Sequence, residues 1–138
     1  MKLLVDTNVV LDVLLNRAPF VADSAKVMAS AELGNIEAFL CATTLTTIHY
    51  LAAKALGRTI AERHIRSLLG IFRVAPVTDA VLLAALHSKA RDYEEAVLLE
   101  SARAVGVEGI VTRNPSDFPK SGAIAIHTPT DIVVMLGL

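Results

Sequence analysis

The 138-residue chain has one cysteine, no tryptophan and only 4% aromatic residues. Cys41 alone cannot close an internal disulfide, and at the end of an apolar stretch it reads as a small buried hydrophobe. A reducing cytoplasm fits this usage. Net charge is nearly absent as well: 13 Lys and Arg against 14 Asp and Glu leave a formal charge of -1. That balance excludes a global attraction to phosphates, so any nucleic-acid contact must come from a local basic surface or a bound metal. Long apolar runs are missing too. Asp6, Asp12 and Arg17 interrupt the start, and Ile132 to Leu138 is too short to cross a bilayer, so no signal peptide or membrane anchor is read. Without repeats, low-complexity segments or linkers, residues 1–138 are expected to form one domain. What the chain does have is hydrophobicity, 54% of its residues, enough for a substantial core at this length. The excess suggests apolar surface reserved for a partner or a second copy, a homodimer.

Lys2 to Val5 is a short apolar run of the kind covered on both faces of a sheet, followed by the helix-capping residues Asp6-Thr7-Asn8. Helices are predicted over Val9 to Leu15 and, beyond Pro19, over Val21 to Leu33, stopped by Gly34-Asn35. Glu37 to Cys41 reads as a strand, Thr43 to Leu56 as a helix ended by Gly57, and Ile60 to Leu69 as a helix before Gly70. A third strand is predicted over Arg73 to Val77, a helix from Thr78-Asp79 to about Ala90, and another from Asp92 to Gly106. Gly109 to Thr112 and Ala123 to Ile126 read as strands, and Thr128-Pro129-Thr130-Asp131 opens a last helix. Strands alternating with helices imply an α/β fold with a parallel sheet covered on both faces, whose ligands bind at the carboxyl ends of the strands.

Three acidic segments reach that rim. Asp6 ends the first strand, with Asn8 beside it; alone, it is better explained as a helix cap. Asp92 and Glu95 share the first turn of a helix and could face one target together, although Asp92-Tyr93-Glu94-Glu95 is also a capping box. Thr112-Arg113-Asn114-Pro115-Ser116-Asp117 follows a strand, and taken alone is ordinary turn chemistry. Carboxylates gathered in one place repel one another unless a cation neutralises them. Oxygen donors without Cys or paired His favour Mg²⁺ or Mn²⁺, ions that promote in-line displacement at a phosphodiester. His64, His87 and His127 show no zinc spacing.

VDTNVVLD after one strand, an acidic pair before an Ala-containing helix, and IVTRNPSDF after a later strand together resemble the PIN-domain family over nearly the full length. The pattern is closest to the bacterial branch that includes toxin ribonucleases of toxin-antitoxin pairs. The resemblance implies a three-layer αβα sandwich with a mainly parallel sheet, a carboxylate site for Mg²⁺ or Mn²⁺, cleavage of RNA, and an antitoxin protein as partner. It makes Asp6, Asp92, Glu95 and Asp117 the metal-binding and catalytic residues, with Asn8, Thr112, Arg113 and Asn114 supporting them or the substrate.

The chain departs from that family at two places. Asn114 stands where many relatives carry an aspartate. The helix after the second strand, Thr43-Thr44-Leu45-Thr46-Thr47-Ile48-His49-Tyr50, has no acid where many carry a glutamate, and Thr47 or His49 falls roughly there. Each missing carboxylate weakens a hard-cation site. A catalytically weak module acting as a binding or regulatory partner therefore stands as the alternative to a ribonuclease. An aspartyl phosphotransferase is more distant, since Asn8 replaces the second acid it would want and no glycine-rich phosphate loop is present. Arg58, Arg63, Arg66 and Arg73 could line an RNA path, though a solvated helix face explains them as well.

Overall fold

The computed structural model describes residues 1–120 and 122–138. In chain order its elements are β1 (Lys2–Val5), α1 (Thr7–Leu14), α2 (Val21–Glu32), β2 (Glu37–Cys41), α3 (Ala42–Leu56), α4 (Arg58–Ile71), β3 (Arg73–Ala75), α5 (Asp79–Ala85), α6 (Tyr93–Val105), β4 (Gly109–Val111), a 3-10 turn (Pro115–Asp117), β5 (Ala125–His127) and α7 (Pro129–Leu136). The five strands form one parallel sheet in the order β3-β2-β1-β4-β5.

Strand pleating sorts the apolar residues into two cores. Leu3, Val5, Ala38, Leu40 and Val111 face one side, where Val9, Val27, Ile48, Leu68 and Ile132 bring in α1 to α4 and α7. Leu4, Phe39, Cys41, Ala75 and Ile110 face the other, against Val81 of α5 and Ala96 to Leu99 of α6. The result is the expected three-layer αβα sandwich, with Cys41 fully buried.

The capping signals work as read. Thr78 accepts from the Val81 N–H and Asp92 from the Glu95 N–H, and Thr128 with Asp131 forms a reciprocal capping box. Boundaries moved where packing overrode punctuation. Helix α4 continues through Gly70 to Ile71, which delivers Phe72 to the core at 4% exposure. Helix α5 ends at Ala85 rather than near Ala90, with the Leu86 N–H bonded back to Leu83. Strand β3 stops before Pro76, which has no N–H for a ladder. The last strand is Ala125–His127, registered against Gly109–Val111.

Gly109 is required by close approach. A Cβ there would lie 2.9 Å from His127 Cδ2, 3.1 Å from the Ala125 carbonyl oxygen and 3.1 Å from Leu3 Cδ2. Gly109→Ala is expected to destabilise the protein by about 1–3 kcal/mol by wedging β4 from its neighbours. Chemical denaturation measures this, and an unchanged midpoint would contradict the packing described.

From β1 the chain moves outward through β2 and β3, then returns to place β4 on the opposite side of β1 and β5 beyond it. That reversal opens a crevice at the carboxyl ends of β1 and β4, where open parallel sheets place their ligands.

Candidate active site

Asp6 and Thr112 are the residues that follow β1 and β4, and they meet across the crevice. The Asp6 N–H bonds to the Val111 carbonyl at 2.9 Å, so the sheet itself sets the position of the carboxylate. Asp6 Oδ1 accepts from the Thr7 N–H at 2.7 Å; Oδ2 accepts from the Thr112 hydroxyl at 2.8 Å and from Asn8 Nδ2 at 3.3 Å. Burial pushes the Asp6 carboxyl above its ordinary pKa, opposed by the Thr112 and Thr7 hydrogen bonds; the Asp117 charge raises it further and Arg113 lowers it. Thr112 is fully buried, and its hydroxyl also accepts from the Asn114 N–H at 3.1 Å. Asn8 Oδ1 accepts from the Arg113 N–H at 3.2 Å.

Asp6, Glu94, Glu95 and Asp117 line one cavity of about 260 Å³. The cavity brings together three of the four acidic residues singled out from the sequence. Asp92 does not line it: its carboxylate caps α6 on the Glu95 N–H at 2.9 Å. Glu94, passed over in the sequence, takes the place on the wall. Asp117 is held by Arg91, Nη1 to Oδ1 at 2.9 Å, and its own N–H bonds the Asn114 carbonyl.

Glu95 has the most perturbed carboxyl, raised to about 7, first by desolvation and then by the Asp92 hydrogen bond and the charges of Asp92, Asp117 and Asp6. Asp92 moves the other way, held down chiefly by its hydrogen bonds to Glu95. Because unfolded Glu95 titrates near 4.5, the folded state binds the extra proton between the two values. The corresponding stability is whole below about pH 4.5 and is lost as pH rises through about 7. In chelator, Glu95→Gln should therefore have a higher urea midpoint than the parent at pH 8 and a similar one at pH 4. A parent-to-variant gap that does not widen with pH would count against this reading.

Behind the carboxylates lies a charge cluster the sequence reading did not include. Asp12, with no solvent exposure, sits in α1 among Val9, Val10 and Leu11. Arg113 grips it with two bonds, Nε to Oδ2 at 2.8 Å and Nη2 to Oδ1 at 3.2 Å. Arg17 Nε lies 2.9 Å from Oδ1. Both arginines line the carboxylate cavity, so a buried anion holds two cations on its rim. A charged residue inside the apolar run Val9 to Val13 was the available signal.

The wall formed by α3 presents Thr43 and Thr44, not Thr47 or His49. Thr44 is tied to Thr7 by a 3.1 Å hydroxyl contact, and the Thr47 hydroxyl donates to the Thr43 carbonyl within the helix. The cavity thus has hydroxyls on the side where an acid was missing.

The donor set fits a small hard divalent cation. Glu95 Oε2 is buried without a hydrogen-bond partner, and it belongs to a carboxyl that shares its cavity with Asp6. Among the described residues no three His, Cys, Asp or Glu side chains stand close enough to hold an ion by themselves. An ion resting on Asp6 and Glu95 would complete its shell with water and substrate oxygens, as Mg²⁺ commonly does.

The same fold occurs in solved toxin-antitoxin structures. VapBC2 from Rickettsia felis, bound to a DNA fragment from its promoter, is 11% identical with TM-score 0.70, over 93% of this chain and 98% of that one. A toxin-antitoxin complex from Klebsiella pneumoniae is 19% identical with TM-score 0.67, over 91% and 96%. Mycobacterium tuberculosis VapC20, a sarcin-ricin-loop-cleaving toxin, is 15% identical with TM-score 0.64, over 78% and 86%. No curated protein sequence matches the chain. Residues 2–116, from β1 through the loop that carries Thr112 to Asn114, match the PIN domain family, and the chain belongs to it.

Proposed function

We propose that this PIN domain is a metal-dependent endoribonuclease and the toxin of a toxin-antitoxin pair. The observation that carries the reading is the unpartnered, buried Glu95 Oε2 in the cavity that Asp6 lines, with two fixed arginines on the rim. Asp6 and Glu95 would hold Mg²⁺ or Mn²⁺ directly, Asp117, which lines the same cavity, would add a third carboxylate, and Asp92 would act through Glu95, whose N–H it caps. When bound, such an ion supplies Lewis-acid charge for the phosphoryl oxygens and eases deprotonation of a water.

The remaining roles belong to the chain. Arg113 and Arg17 offset the charge of the phosphodiester, which the carboxylates would otherwise repel. Thr112 and the Thr7 N–H hold the Asp6 carboxylate in one orientation, and Asn8 ties that segment to the Arg113 backbone. Asn114 and the Thr43 and Thr44 hydroxyls offer hydrogen bonds to substrate oxygens across the cavity. The kinship in fold with toxin-antitoxin complexes supports an antitoxin as protein partner, and the exposed Leu82, Leu83, Leu86 and Tyr93 offer apolar surface for a homodimer.

The test is incubation with single-stranded RNA and Mg²⁺ or Mn²⁺. Internal cuts that disappear on chelation are expected; RNA left intact with either ion overturns the proposal. A second reading, a catalytically weak module with a regulatory role, is favoured by the lack of any three clustered ligands among the described residues. Calorimetry separates the two, because this reading expects no Mg²⁺ or Mn²⁺ uptake at millimolar concentration.

A further inference from the structure

A second cavity, of about 410 Å³, opens between the first turns of α2 and α7 and shares Arg113 with the carboxylate cavity. We propose that it receives the base of the nucleotide adjoining the phosphate held at the carboxylates, an inference that rests on the ribonuclease reading.

Three observations point to a base. Ser24 lines this cavity at 1% exposure, and its hydroxyl has no hydrogen-bond partner. A buried hydroxyl in that state has a hydrogen bond to offer an incoming group. Phe20, 41% exposed, lies under the Arg113 guanidinium with 4.1 Å from that group to the ring centroid. This pair is held in place, since Arg113 is also clamped by Asp12. Splayed RNA bases stack on such aromatic and guanidinium planes. Finally, the cavity carries an anion of its own: Asp23, whose Oδ2 accepts from the Thr130 hydroxyl at 2.6 Å.

Asp23 decides which part of a nucleotide enters. It repels a phosphate, so the backbone stays on the Arg113 side that faces the carboxylate cavity, and the neutral base turns toward α2. The Thr128 hydroxyl accepts from the Asp131 N–H and the Thr130 hydroxyl donates to Asp23, while Asp23 and Ser24 on α2 are placed to read the base edge. A carboxylate acceptor beside a hydroxyl matches adjacent N–H donors, and the Watson–Crick edge of guanine offers these. The cavity thus favours guanine over uracil.

Nucleosides, which carry no phosphate, test this apart from catalysis. Titrated into isotopically labelled protein in chelator, guanosine should shift the amide signals of Phe20, Ser24 and Thr130 more than uridine does. Phe20→Ala should weaken guanosine by roughly fivefold or more, with Phe20→Trp retaining it. Ser24→Ala should narrow the gap between guanosine and uridine while leaving the thermal midpoint near that of the parent. In the cleavage assay, Phe20→Ala should redistribute the cut positions along a mixed-sequence RNA. Guanosine shifts around α2 and α7 without RNA cleavage uphold the base pocket and overturn the ribonuclease reading. Cleavage with no nucleoside shifts, and with cut positions unchanged in Phe20→Ala, overturns the pocket alone.

Discussion

Asp12→Ala is expected to destabilise the protein by about 3 kcal/mol, a large part of the stability of an ordinary domain. Asp12 is the only charged side chain of α1, and the fold buries it completely. Its desolvation is offset by the two-pronged Arg113 contact and by Arg17. Removing it leaves both arginines facing an apolar helix and opens space beside them. Because the Arg113 and Arg17 side chains keep 29% and 40% exposure, they can recover some hydration, which places the loss near the low end for a broken buried pair. Asp12→Asn, which keeps the shape and one acceptor, should cost less. Urea denaturation decides the matter, and an alanine variant within 1 kcal/mol of the parent (about the spread of an ordinary substitution) contradicts the clamp.

Asp6→Ala should behave in the opposite way, with cleavage of RNA falling by on the order of 10²- to 10³-fold and stability hardly changed. The rate falls because Asp6 is the carboxylate that the sheet, Thr112 and Thr7 all combine to position. Stability is spared because burial already raises the pKa of this carboxyl, so its charged form is held at a cost in the folded state. Loss of that cost offsets the acceptor lost to Thr112 and Asn8. Active sites often carry strain of this kind, and relieving it trades function for stability. A variant that cuts RNA at the parental rate overturns the assignment of Asp6. A variant that loses activity only because it unfolds would show as a lowered melting temperature.

The sheet and its order of elements were legible in the sequence because apolar runs and capping residues are local signals. Asp6, Thr112 and Asn114 could be placed at strand ends for the same reason. What could not be read was rotation about a helix axis. Asp92 and Glu95 share a turn, and only packing of Ala96 to Leu99 on the sheet decides that Glu95 and Glu94 turn to the cavity while Asp92 turns to the cap. On α3 the same uncertainty moved the wall from Thr47 and His49 back to Thr43 and Thr44, one turn nearer the strand end. Asp12 was hidden differently: its partners Arg17 and Arg113 are respectively a loop residue nearby and one a hundred positions on, and no local pattern links them. The early end of α5 has no glycine or proline to mark it, since Leu86 to Ala90 contains neither.

The central place of β1 has a consequence for the order in which the molecule becomes able to act. Its first neighbour, β2, follows within some forty residues, but its second, β4, is made only after α6. A growing chain that has reached the end of α5 can pair β1, β2 and β3 while Asp6 still lacks Thr112, Glu95, Asp117 and the guanidinium of Arg113. Contacts of such long sequence separation form late because closing the loop costs entropy first. The carboxylate cavity is therefore completed among the last parts of the structure, and a partial product of synthesis holds Asp6 without the groups that line the cavity with it.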